Sequence, residues 1–151
     1  MSDKLADWTK GAEAIVYQTC GACGRVQYFD RRFCAACGAP DPAEKRASGT
    51  ATVYATSLVC RAATPETRAH VPYNIVLVDA AEGFRMMAHG DNDLAIGDKV
   101  IASYRPFAGR LVPYFEKHEA RTPNAHATKQ PRITRNSEKS ELPRRVNIQC
   151  Q

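Results

Sequence analysis

Cys20-Gly21-Ala22-Cys23-Gly24 and, with ten residues between Cys23 and Cys34, Cys34-Ala35-Ala36-Cys37-Gly38 decide how this chain folds. A Cys-x-x-Cys pair puts two sulfurs on one tight turn, and two such turns facing each other make a tetrahedron. That is the geometry of a closed four-thiolate zinc site, so Cys20, Cys23, Cys34 and Cys37 are the expected ligands of a Zn2+ ion. A bound iron or a pair of disulfides are the alternatives the same spacing allows. Gly24 and Gly38 stand where positive φ turns backbone N–H groups toward the sulfurs. Four thiolates fill the coordination shell and leave no position for water or substrate, so the expected role is structural. Structural zinc contributes on the order of 10–16 kcal/mol to small modules, enough to stand in for a hydrophobic core. Arg25, Arg31 and Arg32 lie close in sequence, either offsetting the negative thiolates or simply solvated.

On the N-terminal side, residues 3–13 read as a helix, with Asp3 as N-cap and Leu5, Trp8 and Ala12 at helical spacing; Gly11 weakens its end. Trp8 is the single tryptophan. It either folds back on the cysteine module or docks on another protein. Ile15 to Gln18 and Arg25 to Phe29 are short, β-branched and aromatic, and predict the strands flanking the first cysteine turn. Arg31 to Phe33 leads into the second turn, and Pro40-Asp41-Pro42 marks a boundary.

From Ser48-Gly49 onward the pattern is that of strands. Thr50 to Arg61 alternates, with Val53, Ala55, Ser57 and Val59 on one side. Residues 62–71 read as a polar loop, Tyr73 to Asp79 as an apolar strand, and Ala80 to Gly83 as a hairpin turn. Phe84 to His89, Val100 to Arg105 and Leu111 to Glu116 complete the set. Five strands separated by turn signals, with no helix long enough for a βαβ unit, predict a closed Greek-key barrel of the OB-fold kind. The fold class is therefore mainly β. The expected division is residues 1–47, with the N-terminal helix and zinc ribbon; residues 48–117, the OB-fold barrel; and residues 118–151, an extended basic tail.

The charge distribution bears on partners. The net charge is +5, but residues 1–49 hold seven basic and six acidic side chains and residues 50–117 hold seven of each. Residues 118–151 hold seven basic and three acidic, so the excess sits in the tail. A charge-balanced barrel is a poor single-strand nucleic-acid groove, although the sequence pI near 9.0 points that way. Six cysteines with four in metal spacing suit a reducing cytoplasm, and no apolar run is long enough to span a membrane. Cys60 is expected on a strand and Cys150 one residue from the end, neither suited to nucleophilic catalysis. His70 and His89 are the histidines a barrel would bring toward Cys60, although nothing in the spacing requires it.

The order of short motifs resembles a known family. Tyr17-Gln18-Thr19-Cys20-Gly21-Ala22-Cys23-Gly24 leads to Phe33-Cys34-Ala35-Ala36-Cys37-Gly38 and Ser48-Gly49-Thr50-Ala51-Thr52-Val53-Tyr54. Pro72-Tyr73-Asn74-Ile75-Val76-Leu77-Val78, Glu82-Gly83-Phe84-Arg85 and Ile96-Gly97-Asp98-Lys99-Val100 follow. Together these are similar to the acyl-CoA-associated proteins of the domain-of-unknown-function-35 type, a rubredoxin-like zinc ribbon followed by an OB-fold. The resemblance covers about residues 10–117 and implies a non-catalytic accessory subunit. Its partner would be a thiolase-fold catalytic subunit in a hetero-oligomer, or a thiolase-like aldolase or acyl-CoA hydratase. The catalytic residues would belong to that partner, with CoA or acyl-CoA shared between them. Under this reading Arg61, Arg68 and Arg85 are candidates for CoA phosphates, and His70 and Tyr73 for lining an acyl pocket. Each has an ordinary reading too, as a solvated arginine or a plain strand entry.

Overall fold

The structure is a computed structural model, and it describes residues 4–118. These residues fold as a three-stranded cysteine-bearing sheet followed by a five-stranded barrel. The expected tail lies, beyond His118, outside the described residues.

The expected helix over residues 3–13 is instead one 3-10 turn, Trp8–Lys10. Asp7, not Asp3, caps it, accepting from the Thr9 N–H at 3.1 Å. Gly11 ends it at once, with φ 81° and its N–H donating to the Trp8 carbonyl at 3.0 Å. So short a segment has little helical stability of its own, and tertiary contacts win. Trp8 folds back on the cysteine module, where its indole N–H donates to the Tyr28 hydroxyl at 2.9 Å.

The first sheet has the order β2–β1–β3, with β1 Val16–Thr19, β2 Val26–Gln27 and β3 Ala43–Arg46, all antiparallel. β3 was not expected. Its sequence Ala-Glu-Lys-Arg has neither alternation nor β-branching, and it is held as an edge strand by pairing with β1.

The barrel comprises β4 Thr50–Val59, β5 Tyr73–Ala80, β6 Arg85–Gly90, β7 Lys99–Phe107 and β8 Arg110–Lys117. It closes in the order β4–β5–β6–β8–β7, with β6 and β8 parallel through His89↔Tyr114 and Gly90↔Phe115. This is the OB-fold expected from the strand count, and on its other side it closes where Thr50–Thr52 pair with Lys99–Ile101. A short helix, α1 Pro65–Arg68, interrupts the polar loop between β4 and β5. No helix among the described residues is long and apolar enough to cross a membrane.

The alternation expected for β4 holds only to Val53. Val53 pairs with Val78 and Ala55 with Leu77, so Tyr54 is an extra residue in a bulge. Beyond it the faces exchange. Thr56, not Ser57, falls on the side of the buried Asn74 and donates to its Oδ1 at 2.7 Å. Asn74 is 1% exposed, and its amide in turn donates to the Asp91 carbonyl at 2.8 Å.

The core is one cluster. Val53, Val76, Val78, Met86, Val100 and Phe115 fill the barrel, and Ile15 enters it from the segment before β1. Phe84, at the β5–β6 turn, is clasped between Tyr17 at 5.3 Å and Tyr28 at 5.1 Å, both stacked on it. Such ring pairs contribute about 0.5–1.5 kcal/mol each beyond area burial. Ribbon and barrel therefore share a core.

Candidate functional site

The four cysteine sulfurs all lie within 4.8 Å of one another. Sγ–Sγ separations are 3.6 Å for Cys20–Cys37 and 3.6 Å for Cys23–Cys34. Four sulfurs about 2.3 Å from a tetrahedral zinc stand about 3.8 Å apart, so the cage has the size for that ion. Each knuckle is a tight turn. The Gly24 N–H donates to the Cys20 carbonyl at 2.9 Å and the Gly38 N–H to the Cys34 carbonyl at 3.0 Å. Gly24 and Gly38 have φ of 73° and 75°, the left-handed conformation the sequence predicted for them.

The knuckle backbone favours thiolates. The N–H groups of Cys37 and Ala36 hold the Cys34 thiol down at about 6, the latter at 3.4 Å from its sulfur. Those of Cys23 and Ala22 lower the Cys20 thiol in the same way. At Cys23 the Arg25 N–H favours the thiolate, but the crowd of sulfurs prevails and pushes the thiol up to about 12. Four thiolates this close repel one another, and a divalent cation removes that conflict. The donor set and the cage fit zinc.

What holds the two knuckles face to face is a pair of buried glutamines that sequence reasoning missed. The Gln18 Oε1 accepts from the Arg31 N–H at 2.9 Å and from the Gln27 amide at 2.8 Å. The Gln18 amide donates to Asp30 Oδ1 at 3.0 Å and to the Arg31 carbonyl at 3.1 Å. Gln27 Oε1 accepts from the Ala35 N–H, inside the second knuckle, at 3.0 Å. The available signal was position: both glutamines flank the first cysteine turn, and they face each other across the β1–β2 pair.

The residues proposed for CoA and the acyl group fall into two places. Arg61 and Arg68 are exposed on the β4–β5 connection, which ends in His70 and leads into Tyr73. The rings of His70, Tyr73 and His89 converge on Phe107 at 4.7, 5.0 and 4.2 Å. Phe107 comes from the β7–β8 hairpin and was not anticipated. Burial, and then the neighbouring His70, hold the His89 imidazole below its ordinary range. Arg85 is at the opposite end of the β5–β6 pair, because it faces Asp79 across the ladder. Its guanidinium makes a two-pronged bond to Asp79 at 2.7 and 3.0 Å and lies 3.3 Å over the Tyr54 ring. Arg85 is thus engaged within this chain and apart from the other four. Cys60 follows the last residue of β4 and is half-buried.

A cavity beneath Trp8, lined by Leu5, Val16, Tyr28 and Phe29 among others, has a volume of about 140 Å³. Small-molecule sites are usually about 300–1,000 Å³, so this one is too small for an acyl-CoA.

Two family models match adjoining segments. One, described as the ChsH2 rubredoxin-like zinc ribbon domain, matches residues 8–43, and the other, the ChsH2 C-terminal OB-fold domain, matches residues 44–105. The chain belongs to the ChsH2 family, of the DUF35 type. Among solved structures, this ChsH2-family chain is similar to one described as the Ltp2-ChsH2(DUF35) aldolase, with 25% identity and a TM-score of 0.60. The match covers 69% of this chain and 84% of that one. A DUF35-family protein of unknown function from Sulfolobus solfataricus is 16% identical with a TM-score of 0.49, over 70% of this chain and 76% of its own. No curated protein matches the sequence. The four cysteines are thus those of a zinc ribbon, which supports structural zinc.

Proposed function

We propose that this ChsH2-family chain is a non-catalytic accessory subunit of a thiolase-type acyl-CoA enzyme. Zinc held by Cys20, Cys23, Cys34 and Cys37 staples the ribbon. The body braces the catalytic subunit and helps to shape its CoA and acyl pocket. The observation that carries this reading is the likeness to the Ltp2-ChsH2 aldolase, in which a family member is named together with an enzyme. The closed four-sulfur cage agrees with it, since such a site has no open position for chemistry.

The reaction we assign to the complex is CoA-dependent thiolytic cleavage of a 3-oxoacyl-CoA, with benzoylsuccinyl-CoA of anaerobic toluene degradation as the substrate. A thiolase needs an activated cysteine, a base and an oxyanion hole, and the catalytic subunit supplies them. On this chain, Arg61 and Arg68 on the β4–β5 connection offer charge to CoA phosphates, and His70 and Tyr73 offer ring surface to the acyl group. Arg85, fixed by Asp79 and Tyr54, acts at a separate edge. That the similar solved structure is an aldolase favours a second reading, in which the partner is a thiolase-like aldolase. A cytoplasmic, reducing setting suits the thiolate cage.

The deciding experiment is thiolysis of benzoylsuccinyl-CoA by the purified chain, by the purified thiolase-fold subunit, and by the two together. Turnover only by the mixture is expected. Turnover by the chain alone overturns the accessory role, and retro-aldol cleavage without thiolysis selects the aldolase reading.

A further inference from the structure

We infer that the cysteine cage is a redox-reversible metal site: hydrogen peroxide converts its four thiolates into two disulfides, Cys20–Cys37 and Cys23–Cys34, which release the ion and keep the ribbon closed. Two sulfur–sulfur contacts of 3.6 Å, Cys20 with Cys37 and Cys23 with Cys34, run from one knuckle to the other. A disulfide is about 2.05 Å long, so each pair closes by about 1.5 Å to bond. Each pair also joins unlike members. Cys23 and Cys37 are exposed, while Cys20 and Cys34 are buried. An oxidant therefore meets Cys23 and Cys37 first, and the buried sulfur across the gap is the one that answers. The brace of the knuckles contains no sulfur. Gln18 Oε1 accepts from the Arg31 N–H at 2.9 Å and Gln27 Oε1 from the Ala35 N–H at 3.0 Å, so the turns stay face to face while the ion is lost.

The exposed thiolate attacks one peroxide oxygen, the O–O bond breaks, and a sulfenic acid and a hydroxide result. The buried thiolate then attacks the sulfenic sulfur. The S–S bond forms, the S–O bond breaks and a second hydroxide leaves. For each disulfide, two thiolates give up two electrons, and one peroxide with two protons becomes two waters. Disulfide sulfurs carry no charge, and the cage then has no thiolate to hold a divalent cation. Pairing across the knuckles differs from pairing inside one. A Cys20–Cys23 or Cys34–Cys37 bond closes a single turn, whereas both cross bonds close longer loops that contain Arg25 to Phe33. A longer closed loop constrains the unfolded chain more, so the cross bonds take over part of the ion's stabilising role. Tyr17 and Tyr28 of the ribbon clasp Phe84, so a ribbon held shut also keeps its contacts with the barrel.

The test uses the full-length, zinc-loaded chain treated with hydrogen peroxide. A metallochromic dye reads zinc release; the remaining thiols are alkylated, and trypsin with mass spectrometry maps the bonds. Trypsin cuts after Lys10, Arg25, Arg32 and Lys45, so Cys20 and Cys23 lie on one peptide and Cys34 and Cys37 on another. The expected result is loss of the bound zinc and recovery of the two peptides as one cross-linked species, with Cys20 bonded to Cys37 and Cys23 to Cys34. A phosphine reductant with added zinc is expected to restore the original zinc content. The oxidised chain is expected to melt above the reduced chain stripped by a chelator. Separate peptides, each with an internal disulfide, overturn the inference, as does any other pairing. Zinc retained under peroxide, sulfurs carried on to sulfinic acid, or zinc content that reduction does not restore overturns it as well. An oxidised chain that melts no higher than the stripped one overturns the closed ribbon.

Discussion

Replacing Gln18 with leucine removes the acceptor of the Arg31 N–H and of the Gln27 amide at one stroke. A buried donor left unpaired costs about 1–3 kcal/mol, so Gln18→Leu is expected to lower the urea midpoint clearly. The cysteines are untouched, and metal analysis is expected to find the zinc content unchanged. The four cysteines were legible because coordination geometry dictates their spacing. The glutamines were not, because a polar side chain signals water by default and their burial depends on how residues 30–35 fold over them. His89 belongs at this scale as well. Its folded-state imidazole titrates below the ordinary value near 6.5, so the unfolded chain binds more protons as pH falls below that point. Stability present above about pH 6.5 is therefore lost as pH drops toward the folded value. His89→Phe keeps a ring against Phe107 and removes the titration. Its melting temperature relative to wild type is expected to rise from about pH 7.5 to about pH 5.5, as differential scanning calorimetry would show.

Among the elements, β4 shows how one extra residue redirects a strand. Strict alternation put Ser57 on the side of Val53; the bulge at Tyr54 puts Thr56 on that side instead, beside Asn74. Bulges leave no composition signal in a single sequence, since Tyr54 is as good a strand residue as its neighbours. The two assignments differ in a measurable way. Thr56→Val removes a bond to a buried side chain and is expected to cost about 1 kcal/mol, whereas Ser57→Ala is expected to cost almost nothing. Chemical denaturation of the pair decides between them. The N-terminal segment taught a similar lesson. Leu5, Trp8 and Ala12 have helical spacing, yet Gly11 and the pull of Tyr28 on the indole allow only one turn. The barrel strands themselves were legible, because each is long, β-rich and bounded by a turn. β3 was not, because pairing with β1 rather than its own composition makes it a strand.

At the scale of the molecule, the described residues share one core. Ile15 sits among the barrel's buried side chains, and Phe84 of the barrel sits between two ribbon tyrosines. Stripping the metal with a strong chelator is therefore expected to lower the melting of the barrel strands as well as to loosen the ribbon. Far-UV circular dichroism with and without chelator checks this, and Phe84→Ala is expected to uncouple the two transitions at a cost of about 3–5 kcal/mol. The sequence divided the chain at its prolines and charge shifts. It could not show this coupling, because Tyr17, Tyr28 and Phe84 lie far apart along the chain and carry no mark of meeting.

The Phe84 clasp also orders events during synthesis. All four sulfurs leave the ribosome well before Phe84 does, so the nascent ribbon is able to load its ion while the barrel is still being made. Until Phe84 emerges, the facing sides of Tyr17 and Tyr28 stand open to water. A metal-starved cell would thus release a polypeptide whose later half has lost its template, and shortage of a trace nutrient would register as a shortage of folded chain.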